Sequence, residues 1–232
     1  GETVRTDRIH DLIDYTDDEE KCLLSKGIWY QYNEDYLKYL DESIMEIECV
    51  YNPEFDFDSN TRQTFIDQKF AEEGKNSKYE GCSEQQIKKA LSDKYYNERI
   101  FNIIRERDGF INYDRKLDSS GDTKIEMMDL YRDETMFAVK IGGGSAKLCY
   151  AVDQSLTSVK MYKHGNLQEM PKIKKVALWF ILERKRNLKE TEEGMPDLTE
   201  LNMLLLKNKI DDWKKEVRLL GYTPVIYVNY MR

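Results

Sequence analysis

Histidine is almost missing from this 232-residue chain, with only His10 and His164, and its four cysteines (Cys22, Cys49, Cys82, Cys149) are scattered with no CxxC spacing. A zinc site, which draws on closely spaced cysteine and histidine ligands, is therefore not expected. The composition reads as cytoplasmic with thiols reduced. Long apolar runs are lacking too, so no segment approaches membrane-spanning length, and no basic-then-apolar leader opens the sequence. The first residue is glycine rather than methionine, which hints at a cleaved tag or at a fragment of a longer protein. Internal repeats and low-complexity tracts are absent. At this length the chain has enough residues for one large domain with a real core.

What the chain has is charge, unevenly placed. The net value of −8 argues against a general nucleic-acid binder. The first sixty residues carry 17 acids and 5 bases, whereas residues 140–189 carry 11 lysines and arginines against three acids. Such asymmetry implies a basic binding face and a separate acidic module. The alternative is that the two signs pair within the fold or between subunits of a homodimer.

The pattern divides the chain into an acidic N-terminal subdomain (1–60), a linker (61–83) and an α/β core (84–232). In the first part, KCLLSKGIWY (21–30) reads as a strand, a glycine turn and an aromatic return strand. Asn33 caps a helix over 34–47, and 52–62 is a loop. Trp29 and Tyr30 read as core, with base stacking as the alternative. From Ser83 a capping box with Gln86 starts a helix to about Arg107, closed by Gly109. A strand over 110–117 follows, then a hairpin over 125–141 and a helix over 146–161. The continuous apolar run KVALWFIL (175–182) has the look of a central strand buried on both faces. A helix over 198–220 and a strand over 224–231 complete the order.

The hairpin IEMMDLYRDETMFAVKI (125–141) carries the chemistry-bearing residues. Met136, Ala138 and Lys140 alternate against Phe137, Val139 and Ile141 across a strand. Acids on one strand and a lone lysine on the next suit phosphodiester chemistry. Carboxylates such as Asp129 and Glu126 hold Mg²⁺ or Mn²⁺, and Lys140 positions water or neutralises charge on phosphorus. Asp129 and Lys140 read equally as a cross-strand ion pair. Glu126 shares the face of Asp129 only across a bulge. Asp114 is a third candidate ligand or a turn residue. Gly142–Ser145 cradles a phosphate at a helix start or is simply a tight turn. Arg184, Lys185 and Arg186, with Lys147, Lys160 and Lys163, are the candidates for contacting a DNA or RNA backbone.

The order helix, three strands, helix, strand resembles the restriction-endonuclease-like core, a mixed sheet flanked by helices. In that core an acid sits on the second strand and a Glu-x-Lys on the third. Asp129 and Lys140 match, whereas Ala138 stands where a metal-binding acid would be. Across 20–160 the segments LLSKGIWY, YYNERI, NYDRKL, IEMMDLY, AVK and GGGSAKL are similar, in order, to the motifs of a sporadically distributed bacterial domain-of-unknown-function family. That resemblance picks out Asn97, Asp114, Glu126, Asp129, Lys140, Ser145 and Gln154, and it implies a mobile-element or phage-defence context. Two family histidines are replaced here, one by Ala138 and one within Cys149-Tyr150-Ala151-Val152. The expected function is a metal-dependent nuclease or nucleic-acid binder. The rival is an inactive interaction module whose acidic N-terminal region binds a basic protein partner.

Overall fold

The computed structural model describes residue 8, residue 13 and residues 15–113, 128–165 and 170–232. The chain opens on an antiparallel meander, β1 (Tyr15–Asp17), β2 (Cys22–Ser25) and β3 (Ile28–Gln31). Lys26 and Gly27 both take positive φ (50° and 76°), the two-residue turn whose twist suits a hairpin. All four residues of the outer strand β3 are exposed. Ile28, Trp29 and Tyr30 are 56%, 56% and 52% exposed, so the expectation that these aromatics are core is corrected. Trp29 has an edge-on partner in Tyr15, at 6.2 Å, but lies on the edge strand of a three-stranded sheet.

Helix α1 (Glu34–Met45) starts where Asn33 accepts from the Tyr36 N–H at 2.7 Å. After it come β4 (Glu48–Val50) and α2 (Ser59–Glu73). The 61–83 segment, expected as a linker, thus holds most of a helix, with Phe65 and Ile66 buried in the core. Its polar sequence conceals this, because only a few apolar side chains face inward. The single helix expected from 84 to 107 is two, α3 (Glu84–Lys94) and α4 (Asn97–Arg105). The Ser83–Gln86 capping box is formed at 2.8 and 3.3 Å. Tyr95 breaks the helix and is buried, its ring edge-on to Phe65 and its hydroxyl bonded to Glu73.

The main sheet then forms from β5 (Ile111–Asn112), β6 (Leu130–Arg132), β7 (Thr135–Gly142), β8 (Lys175–Glu183) and β9 (Thr223–Met231). Helices α5 (Ser145–His164) and α6 (Leu204–Leu219) connect the last three strands. Helix α6 begins later than expected because Leu198–Glu200 forms a 3₁₀ turn, capped by Asp197. The sheet order is β4-β9-β8-β7-β6-β5. Strands β5, β6 and β7 are an antiparallel meander, while β7, β8, β9 and β4 run parallel. The mixed sheet flanked by helices is thus an α+β fold, and its outer strand β4 comes from the acidic region before residue 60.

Alternation along β7 sorts the two layers, as the sequence implies. Met136 and Ala138 face α5 and α6, together with Leu148, Val152, Leu206 and Trp213. Phe137, Val139 and Ile141 face α2, α3 and α4. On that second face Trp179 is fully buried among the rings of Phe55, Phe101, Phe110, Phe137 and Tyr227. Its indole N–H donates to Asn229 Oδ1 at 3.0 Å, and the Asn229 amide donates to Asn52 O and Asp56 Oδ1 at 2.7 and 2.9 Å.

Polar ties fasten α1 to α6. Buried Asp211 accepts from Ser43 and Tyr39, and from Lys215 at 2.6 Å. Buried Lys214 donates to the Ser43 carbonyl at 2.8 Å and pairs with Glu46 at 3.0 Å. Burial pushes the Asp211 carboxyl up, but the bonds from Lys215 and Ser43 outweigh it and hold the group below its ordinary value.

Candidate functional site

Asp129 lies one residue before β6, at the point where the β6–β7 ladder changes character. Its N–H donates to Phe137 O at 3.0 Å, and its own carbonyl accepts from Tyr113 N at 2.8 Å. The next rung of β7 is met by a side chain: Val139 N donates to Asp129 Oδ2 at 2.7 Å. The carboxylate therefore stands in for a strand carbonyl and holds the chain beside the middle of β7. Asp129 also lines a dent with Gln154, Ser155 and Ser158 of α5. Asp129 and Gln154, both singled out by the resemblance, thus line one dent.

Lys140 leaves the same stretch of β7 in another company. Its ammonium pairs with Glu98 Oε1 at 3.0 Å and lies 5.7 Å from the ring centre of Tyr150. Glu98 is in the first turn of α4, where a carboxylate also meets the helix dipole favourably. Sequence reasoning passed over Glu98, which sits one residue after Asn97 in the YYNERI motif and has no spacing signal of its own. Asn97 itself lies against the Met231 sulfur at 3.8 Å. Asp114 and Glu126, the other two expected ligands, fall outside the described residues. Among the described residues no group of three or more His, Cys, Asp or Glu gathers as a metal centre.

The glycine run after β7 has a packing reason. A Cβ on Gly143 would sit 2.6 Å from the Glu183 carbonyl oxygen, and one on Gly142 would press on Lys147. Close approach between the ends of β7 and β8 therefore requires glycine at 143, whatever else the loop does. Gly144 precedes α5 without a side-chain cap, and the Ser145 hydroxyl lies 3.7 Å from the Cys149 sulfur. Burial pushes the Cys149 thiol up, away from the thiolate form.

The basic stretch 140–189 does not form one face. Lys172, Lys174 and Lys175 gather where β8 begins, paired with Glu134 and Glu48. Lys160 pairs with Glu216 at 3.0 Å, and Lys163 lies over the Tyr222 ring. Lys147 and Arg184–Arg186 belong to the other end, roughly 26 Å along the nine-residue strand. There Lys147 is 3.8 Å from Glu183, while Arg184, Lys185 and Arg186 are exposed and make no ion pair among the described residues. The separation follows from the crossover: α5 carries the chain from the end of β7 back to the start of β8, and its lysines travel with it.

No helix among the described residues is long and apolar enough to cross a membrane. No curated protein and no solved structure matches the chain. The model of a family of unknown function, DUF6119, matches residues 5–217. The chain therefore belongs to this family of unknown function.

Proposed function

We propose that this chain is a nuclease-fold protein that engages nucleic acid at the carboxyl end of its parallel strands. The carrying observation is the arrangement at β7, where the Asp129 carboxylate meets the strand beyond its β6 ladder among the described residues and Lys140 rises from that same stretch. The surrounding order supports it: α4, a three-strand meander, α5, then a strand parallel to the third. Open α/β sheets bind ligands outside the carboxyl ends of their strands. Arg184, Lys185 and Arg186 lie at that end, unpaired among the described residues, and Lys147 lies beside them.

In this reading, Arg184–Arg186 and Lys147 hold the phosphate backbone, and Lys140 sets its charge beside the phosphate nearest Asp129. Asp129 is the described carboxylate that would hold Mg²⁺ or Mn²⁺. The described residues do not by themselves fit such an ion: Ala138 takes the place of the usual acid, and no third ligand stands near.

The test has two arms. Anisotropy of labelled single- and double-stranded DNA and RNA should show binding that weakens steeply with salt. Replacing Arg184, Lys185 and Arg186 by alanine should weaken it further. Absence of binding to all four at low salt overturns the proposal. Cleavage is then followed with Mg²⁺ or Mn²⁺, in the wild type and in Asp129→Asn and Lys140→Met. A second reading, a binding module that kept the fold and lost the chemistry, is favoured by Ala138 and by the closed Lys140–Glu98 pair. It predicts binding with no cleavage in any of these forms, Ala138→Glu included, whereas cleavage gained in Ala138→Glu would show a weakened site of the nuclease geometry.

A further inference from the structure

A groove of about 800 Å³ lies between the end of α1, the outer strand β4 and the 190–198 segment. Ile47, Cys49, Met195, Pro196 and Leu198 give it an apolar floor, and Glu46, Glu48, Glu190, Glu192, Glu193 and Asp197 an acidic rim. Neither lysine nor arginine lines it. Lys214 and Arg218 reach Glu46, and Lys175 reaches Glu48. Glu190, Glu192 and Glu193, on the opposite bank, are exposed and make no ion pair among the described residues. Within the floor, burial, then Asp197, pushes the Cys49 thiol up to about 12, and its S–H donates to the Pro196 carbonyl.

Three properties of the groove select its occupant. Its volume falls within the range of roughly 300–1,000 Å³ typical of ligand sites. Strand β4 is three residues long and has no strand on its outer side among the described residues, so a further strand can be added there. Unpaired carboxylates around an apolar floor repel one another and attract a partner of opposite sign. Nucleic acid is excluded by that sign.

We propose that this groove docks an extended basic segment of a partner protein. Its lysines or arginines meet Glu190, Glu192 and Glu193, and an apolar side chain between them enters the floor. The inference is independent of the nucleic-acid reading, which concerns Arg184–Arg186 and the β7 end.

The experiment uses the full chain and a fluorescein-labelled octapeptide of alternating lysine and valine, read by anisotropy. Binding should weaken as salt rises. The triple variant Glu190→Gln, Glu192→Gln, Glu193→Gln should bind roughly tenfold more weakly. These side chains are exposed and unpaired, so an unchanged melting curve is expected of the variant, and its nucleic-acid binding should match the wild type. A lysine–serine octapeptide should bind more weakly than lysine–valine, because it lacks an apolar side chain for the floor. Three results overturn the proposal: equal affinity of the variant and the wild type, equal affinity for the two peptides, or full displacement of lysine–valine by spermine at matched charge. The last would show a sink for polycations rather than a peptide groove.

Discussion

Strands β8 and β9 run nine residues each and are buried along most of their length, while β5 and β6 run two and three residues and pass the ladder to the Asp129 side chain. Both halves belong to one sheet and share β7. The parallel half is covered on both faces, by α5 and α6 on one side and by the ring cluster around Trp179 on the other. The antiparallel half has short strands and a turn, Asp133–Glu134, in which both residues take positive φ. Such division is common where a rigid scaffold presents a less stable edge for function. Stability should reside in β8 and β9, and chemistry beside β6.

The largest effect should come from Trp179→Ala, which empties the ring cluster on the parallel half. We expect a loss of about 3–5 kcal/mol in urea unfolding followed by circular dichroism. A loss below about 1 kcal/mol, the size expected of a surface change, would break the comparison.

Asp129→Asn sharpens it from the other side. The amide oxygen still accepts from Val139, so stability should change by no more than about 1 kcal/mol. Any cleavage should fall by about 10²–10³-fold, as when a preorganised group is lost. A large stability loss with activity intact would reverse the assignment of roles.

A smaller effect is expected at Asp211, under the helical layer. Its folded pKa is depressed, so its contribution is present above the unfolded value of about 3.9 and is lost as pH falls through the folded one. The melting temperature should drop as the solution is acidified through that window. Asp211→Asn should flatten the drop and cost about 1–3 kcal/mol at neutral pH.

The smallest effect concerns the hairpin turn. Glu134 has φ 56°, and its side chain reaches Lys172 and Lys174. Glu134→Ala and Glu134→Gly both lose those exposed pairs, but only glycine relieves the left-handed backbone. Glycine should therefore exceed alanine by about 1 kcal/mol in thermal unfolding.

Much of this architecture was legible in the residues. The Ser83–Gln86 box, the Lys26–Gly27 turn, the alternation on β7 and the apolar run of β8 each follow from local chemistry. The misses have physical reasons. Strand β4 is three residues long, too short to show a period, and it pairs with β9 from far away in the chain. Helix α2 hides behind polar residues because only one narrow stripe is buried. Trp29 and Tyr30 look like core because hydropathy does not reveal that they lie on an exposed edge strand. At the candidate site, Asp129 and Gln154 were named in advance and meet at one dent. The partner of Lys140 was not, since Glu98 reaches it through a tertiary contact.

Strand β9 lies between β8 and β4, so its position in the sheet has a consequence during synthesis. A ribosome delivers residues 223–231 after all of their neighbours. Until then β4 has no strand to pair with, and one whole edge of β8, with its run of valine, leucine, tryptophan, phenylalanine and isoleucine, stands open. Such a segment is prone to self-association while unpaired. Translation stalled before Thr223 should leave a product that aggregates or recruits chaperones, and the few seconds in which β9 emerges should decide the yield of folded protein.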